Sequence, residues 1–539
     1  MNVAFDPWIP VVSEKGEREL SSLCTVLTEG ERFADLAVRP HERISLMRLF
    51  LCVAHAALDG PKDYDEWCEV PKRLPEAVLS YLTHWKDSFE LFHEEKPWLQ
   101  VAELHGINGS EKTSPVALLD FELATGNNST LLDHAGQNIK RGIPTERTIL
   151  NLLTFQNFSP GGGSPVAQWK TVKTSQVGNP DAPCLSQSMA HCLFRGKSLS
   201  KTIHLNLPTF EIILSIYKTF TSDKKRGGSY SDINLGFPVW EFFPEAPGKD
   251  SEKVKNATET YMGRLAPISR WIRLIHGSNQ MYCCNGFKYM TYRDGFAAEP
   301  TATTRLVTKK DKRGTKTSER RVVSVAPNRA LWRELSALLI QRNANGLGGP
   351  LAIGNIPDNT GFDFQVCAMT RDQASMDIAV ESIFHITQAF QAHLSNYQAE
   401  VIGGEKNIGA EGYARQLRWA IEDYRVAVDN DWKSRVNRTQ AKNQNALREK
   451  LAQTASISYW TTIEKNLPLL MTHIEAIGTD TAISTREAWR KMLFRAALDA
   501  YETACGQETP RQIHAFVLGQ KKLISIKNGT KKEPKEKLI

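Results

Sequence analysis

The sequence predicts an α+β protein: a large mixed α/β N-terminal domain over residues 1–370, then a C-terminal four-helix bundle over residues 371–539 ending in a basic tail. Three observations predict it. Residues 1–365 are rich in Pro, Gly and aromatics and carry short alternating apolar stretches, the period of half-buried strands. From Ser375 onward apolar residues recur at i, i+3, i+4 and i+7, the period of helices packed on one face. At 539 residues the chain is too long for one small core, so two to four domains are expected.

The elements follow in chain order. Phe5-Asp6-Pro7-Trp8-Ile9-Pro10-Val11 reads as a strand whose tryptophan anchors a small core. Glu42–Leu58, with apolar residues at Ile44, Leu46, Met47, Leu49, Phe50, Leu51 and Val53, reads as a helix, as does 330–342. Gly161-Gly162-Gly163, flanked by Pro160 and Pro165, stays out of helix and central strand and exposes bare backbone N–H and C=O groups. Such backbone can lie closely against a phosphate string or a nucleic-acid groove. Val322–Val325 and Phe237–Trp240 read as short apolar stretches, and Asp363–Met369 as a last strand. Thr370-Arg371-Asp372-Gln373-Ala374-Ser375 is then a strand-to-helix corner exposing long hydrogen-bonding groups. Four helices are expected at 376–399, 413–428, 446–470 and 485–504, joined by short Gly- or Asn-containing connections.

Composition bounds the class. An apolar fraction of 41% and a charged fraction of 24% are those of a folded protein. No apolar run reaches the roughly 18–20 residues that span a bilayer. The start has no basic region leading an apolar stretch. Nine cysteines, an odd number, point to reduced thiols. A cytoplasmic protein with no membrane partner is expected. The net charge is +7, unevenly spread: Arg305–Arg321 holds eight Lys/Arg against Asp311 and Glu319, Lys224-Lys225-Arg226 forms a second basic loop, and Lys521–Lys537 holds seven lysines against two glutamates. Basic segments interleaved with Gly, Ser and Thr suit phosphate contacts whose affinity falls with salt.

Catalytic patterns are absent. His93-Glu94-Glu95 lacks the second histidine of a zincin helix. Asp133-His134 reverses the order of the metal-phosphohydrolase pair, and no Walker, Gly-x-Ser-x-Gly or dinucleotide motif occurs. A metal-dependent nuclease using Asp133, His134 and His93 stays as the enzyme alternative, and a non-specific nucleic-acid scaffold as the second. Cys283 and Cys284 are adjacent, and Cys184 and Cys192 have seven residues between them, neither of which is the close pair of a structural zinc site. No cofactor, no metal and no enzymatic activity are expected.

Three segments in this order, Asp-Pro-Trp-Ile-Pro-Val at the start, a glycine triplet near residue 160 and Gln-Ala-Ser at residues 373–375, resemble the large-subunit (CasA) family of the type I-E CRISPR Cascade surveillance complex. The resemblance implies a non-catalytic subunit that reads the protospacer-adjacent motif (PAM) of double-stranded DNA and helps open the duplex for an R-loop. Its implied partners are crRNA, target DNA, the other Cascade subunits (backbone, small subunit and handle-binding subunit) and a recruited helicase-nuclease. It implies Gly161, Gly162 and Gly163 at the minor groove of the PAM and a wedge at Gln373 with Asp372 and Arg371. It also implies a lysine finger at Lys288, with Arg293 second, and a loop around Asn127, Asn128, Leu131 and Leu132 that touches crRNA and neighbouring subunits. Asp372 stands where the family's wedge has an asparagine. Gln137-Asn138-Ile139-Lys140 stands where some members carry a zinc-binding cysteine pair. The basic residues Lys309, Lys310, Lys312, Arg313, Arg320 and Arg321 are expected on the DNA backbone.

Overall fold

A computed structural model describes residues 1–107, 113–123, 142–163, 165–174, 178, 180–221, 235–246, 251–290, 299–310, 316–326, 329–343, 346–357, 360–372, 375–403, 408–429 and 445–527. The chain divides into two compact units, Met1–Ile386 and Thr387–Ile539.

The first unit is built around the helix Pro40–Leu58, which is buried on nearly every side. From Ile44 onward apolar residues occur on every face, as an interior helix requires, and the polar side chains of His41, Glu42, Arg43, Ser45, Arg48 and His55 are buried with them. Glu42 closes its first turn, accepting from the Arg39 backbone N–H at 2.9 Å. The helices Tyr64–His84 and Thr145–Phe158 pack near it. Ahead of it, Ile9–Ser13 forms the centre of a three-stranded antiparallel sheet with Arg18–Ser21 and Phe33–Leu36. Trp8, 1% exposed, anchors that sheet: its indole donates to Val3 O at 2.7 Å and its ring lies 6.2 Å from Trp98.

Four further antiparallel sheets occur among the described residues. Gln280–Asn285 pairs with Arg270–Leu274 and Ser114–Pro115. Ala167–Trp169 pairs with Leu104–Gly106 and Val172–Lys173. Phe362–Asp372 lies between His191–Arg195 and Ser375–Ile386. Thr304–Lys310 and Lys316–Val322 form a two-stranded sheet. The expected basic loop is therefore a hairpin. Residues 330–342, expected as one helix, are a 3-10 turn Leu331–Glu334 and a single turn Leu335–Leu338.

The largest correction falls at the domain boundary. Residues 376–386, expected to start the bundle, form a strand, and the division lies at Ile386 rather than residue 370. Val380, Ser382, Phe384 and Ile386 are less exposed than Ala379, Glu381, Ile383 and His385, which is the period-two alternation of a strand. The same run also satisfies i, i+4 spacing, so its period was ambiguous. Where a strand-to-helix corner was expected, two antiparallel strands meet, with Arg371 opposite Met376 and Asp372 opposite Ser375.

The second unit is a helical bundle. Among its described residues the four long helices are Gly409–Asp429, Asn445–Lys465, Ala482–Ala504 and Pro510–Lys527, with the shorter Gln388–Ala392, Leu394–Val401 and Leu467–Ala476. Trp489, Leu493, Ala496, Ala497, Ala500 and Tyr501 form its buried seam, with the spacing of one helix face. The fourth long helix is the one at 510–527, which sequence reading assigned in part to a basic tail. Gly519 hides it: a Cβ there would sit 2.1 Å from Tyr501 Oη and 2.5 Å from Ala420 O. The residue that reads as a helix breaker is what lets three helices approach.

Candidate nucleic-acid interface

The glycine segment leaves the end of the helix Thr145–Phe158. Gln156 fixes that end, its amide donating to Arg270 O at 2.8 Å and accepting from Arg270 N at 2.9 Å. Ser269 Oγ donates to Gln156 O at 2.6 Å. The chain 180–184 then runs beside 157–161, with Ala182 N donating to Ser159 O at 2.9 Å and Cys184 N to Asn157 O at 3.0 Å. Gly161 N–H donates to Asp181 Oδ1 at 2.8 Å. Arg270, 4% exposed, donates to Pro160 O at 2.6 Å and to Ser269 O at 2.7 Å. Burial pulls the Arg270 pKa down, but a guanidinium stays charged at neutral pH, so a buried cation grips the carbonyl just before the glycines.

Beyond that grip the backbone is open. Gly162 and Gly163 are exposed. Gly162 adopts φ +150°, and a Cβ built on it would meet nothing within 4 Å. The glycine is therefore required by its backbone angle and not by crowding. Gly178 lies alongside, its Cβ position 3.4 Å from Gly162 O.

Lys288 is presented from the same sheet. Asn285 pairs with Arg270, so the residue that holds the glycine segment also pairs with the strand leading to the lysine. Gly286 is needed there, since a Cβ would come within 2.7 Å of Ser269 and Arg270 backbone. Phe287 is buried between Trp271 and Trp169 at 5.5 and 6.1 Å, and Tyr289 is buried with its hydroxyl accepting from Ile268 N at 2.7 Å. Lys288, between the two anchored rings, is exposed.

A small core joins the bases of three segments. His41, 1% exposed, packs on Phe158 at 6.2 Å and Phe121 at 6.0 Å. Phe158 clusters with Ile44, Cys184, Leu185, Cys367 and Met369. Phe158 precedes the glycines, Met369 precedes Arg371 and Asp372, and Phe121 precedes residues 124–141. Burial holds the His41 pKa at about 3, so the ring is neutral, and neither nitrogen has a hydrogen-bond partner among the described residues.

Several expected residues cannot be placed. Asn127, Asn128, Leu131, Leu132, Gln373, Arg293, Lys312, Arg313, Asp133, His134 and Lys224–Arg226 lie outside the described residues. Arg371, Asp372, Lys309 and Lys310 are placed by backbone and register alone. Arg320 and Arg321 stand on the hairpin, with Arg321 donating to Glu319 at 3.0 Å. His93 serves a turn, its Nδ1 accepting from Glu95 N and Lys96 N at 3.2 and 3.1 Å. Cys283 and Cys284 are buried in their strand, and burial pushes the Cys283 thiol up to about 12. Among the described residues no cluster of three His, Cys, Asp or Glu could hold a metal.

Arg270, Asp181, Gln156 and His41 were missed by sequence reading. One signal was available: Arg270-Trp271-Ile272-Arg273-Leu274 puts a charge on the buried side of an apolar strand, where an arginine needs a specific acceptor. Asp181 and His41 had none, because their partners are distant in sequence.

These elements define a two-unit α+β protein whose first unit presents exposed glycine backbone and an exposed lysine from well-packed segments. The profile of the CRISPR-associated protein Cse1 family matches residues 2–500, and the chain belongs to that family. A CasA/Cse1 protein of Thermus thermophilus is 25% identical over 525 residues, covering 93% of this chain and 91% of that one. The crystal structure of Thermus thermophilus CasA superposes with a TM-score of 0.67 at 20% identity, covering 98% of this chain and 99% of that chain. The crystal structure of Thermobifida fusca Cse1 gives a TM-score of 0.69 at 20% identity, covering 98% of each chain. A chain of a CRISPR RNA-guided surveillance complex gives 0.71 at 16% identity, covering 97% of this chain and 99% of that one. These structures share the α+β fold with its helical C-terminal part. No helix among the described residues is long and apolar enough to cross a membrane.

Proposed function

We propose that this chain is the non-catalytic large subunit of a cytoplasmic crRNA-guided effector complex, which reads the PAM in double-stranded DNA, helps open the duplex and recruits a helicase-nuclease. The observation that carries the reading is the glycine segment: side-chain-free backbone, open at Gly162 and Gly163, fixed at Pro160 by Arg270 and at Gly161 by Asp181. The minor groove is about 6 Å wide and offers a degenerate pattern. Bare backbone can enter it where side chains cannot, and can accept several related sequences.

Lys288 stands three residues beyond a strand tied to the same arginine and supplies a positive charge beside the groove. Arg371 and Asp372, at the end of a long strand, act with the adjacent Gln373 as the wedge under the PAM. Unstacking one step costs a few kcal/mol, which guide–target pairing repays. Asn127, Asn128, Leu131 and Leu132 meet crRNA and neighbouring subunits. The two units take residues 1–386 and 387–539, and the bundle packs against other subunits of the complex.

The test is substitution of Gly161 and Gly163 by Phe. We expect loss of PAM-dependent binding to target duplex with thermal stability and complex assembly unchanged. Normal target binding by these variants would overturn the assignment of the glycine segment.

A further inference from the structure

The strands Thr304–Lys310 and Lys316–Val322 carry Arg305, Lys309, Lys310, Lys316, Arg320 and Arg321 against the single acid Glu319. That is a surplus of five positive charges on 14 residues of a chain whose net charge is +7. Among the described residues the hairpin forms a two-stranded sheet, bridged at its base to Gly348, and its register runs without interruption from Thr304↔Val322 to Lys310↔Lys316. Its base is fixed. Thr304 and Gly348 exchange both backbone hydrogen bonds at 2.8 and 2.9 Å, Val323 N donates to Thr303 O at 2.8 Å, and Arg305 meets Glu334 at 2.7 Å. Away from the base Leu306, Thr317, Ser318, Glu319 and Arg320 are exposed.

Two physical features select the partner. A free-standing two-stranded hairpin is marginal in water, and like charges directly opposite each other weaken it further. Here Arg305 faces Arg321 and Lys310 faces Lys316. Glu334 and Glu319 offset the first of these rungs at the base. The alternation of the strands also distributes the charge. Arg305, Lys309 and Arg321 fall on one face, and Lys310, Lys316 and Arg320 on the other. A flat acidic protein surface would use one face. A groove walled by two phosphate strands uses both, and the major groove, about 12 Å wide, admits a two-stranded ribbon.

We propose that this ribbon lies in the major groove of duplex DNA and contacts the phosphates of both strands without reading bases. The inference rests on the reading of the chain as a duplex-engaging subunit and assigns the second groove to a separate element.

The test uses the full chain, alone and in the reconstituted complex, with the combined substitutions Lys309→Glu, Lys310→Glu, Lys316→Glu and Arg320→Glu. A matched set to Gln keeps the experiment readable if the Glu set fails to fold. Affinity for PAM-bearing and PAM-free duplexes should fall by the same factor, with the Gln set intermediate. The slope of log affinity against log salt should shrink by about 3–4, which is about 100-fold less affinity lost between 50 and 200 mM salt. Duplex carrying glucosylated 5-hydroxymethylcytosine, which fills the major groove, should weaken the wild type and leave the Glu set unaffected. An unchanged salt slope would overturn the proposal, as would an equal loss on single strands, a PAM-selective loss, or a defect confined to binding an acidic protein. A wild type with no PAM preference would defeat the functional reading instead, and the slope comparison would still judge the ribbon.

Discussion

Glu299→Gln tests how the core supports the interface. The Glu299 carboxylate accepts from Arg48 at 2.7 Å and pairs with Arg264. All three side chains are at most 4% exposed. Arg48 belongs to the central helix, and Glu299 lies five residues before the basic hairpin, so the cluster ties the hairpin's root to the core. Burial alone would raise the Glu299 pKa, but Arg264 and Arg48 outweigh it and hold it at about 2. Against an ordinary 4.5, that difference is worth about 3 kcal/mol. A depressed carboxyl pKa stabilises the fold fully above about pH 4.5, and the stabilisation is lost as pH falls toward 2. Removing the carboxylate leaves two buried guanidinium groups without their anion, a loss of about 3–5 kcal/mol. The assay is urea unfolding of wild type and variant across pH 7 to 3, followed by tryptophan fluorescence. The gap between the two should be about 3–5 kcal/mol at pH 7 and narrow steadily below pH 4.5. A gap under about 1 kcal/mol at pH 7, or one independent of pH, would refute the reasoning.

Two further outcomes follow from close contacts. Gly519→Ala should destabilise the helical unit by about 1–3 kcal/mol through overpacking against Tyr501 Oη and Ala420 O, and Tyr501→Phe should recover part of that loss in the double variant, read by thermal melting. Arg270→Met should free the Pro160 carbonyl and speed amide hydrogen exchange at Ser159 and Gly161, whose N–H groups are hydrogen-bonded, about tenfold, which is about 1.4 kcal/mol of lost local protection, while exchange in the bundle stays as in the wild type.

Much of the fold was legible because its signals are local. The helix at 42–58, the strand at 363–369 and the helices within 413–428 and 485–504 follow from periodicity over a dozen residues, and the structure places elements over each. The misreadings have physical causes. Residues 376–386 satisfy both periods, and the choice between them was made by pairing with 362–372, which no local pattern contains. Gly519 looks like a break until the helices it brings together are known. At the candidate interface, the glycines and Lys288 stood out by residue type, whereas what fixes them did not. Arg270 reaches Pro160 across 110 residues of sequence, and Asp181 reaches Gly161 across 20. The basic run 305–321 was visible as charge, but its two-faced distribution appears only with the register.

The most direct test of the account is a binding titration of the chain, with and without the other complex subunits and crRNA, against duplexes differing only in the PAM. The account predicts PAM-dependent binding that requires the reconstituted complex and disappears when Gly161 or Gly163 is replaced by Phe. Equal binding to every duplex, by wild type and variants alike, would contradict it.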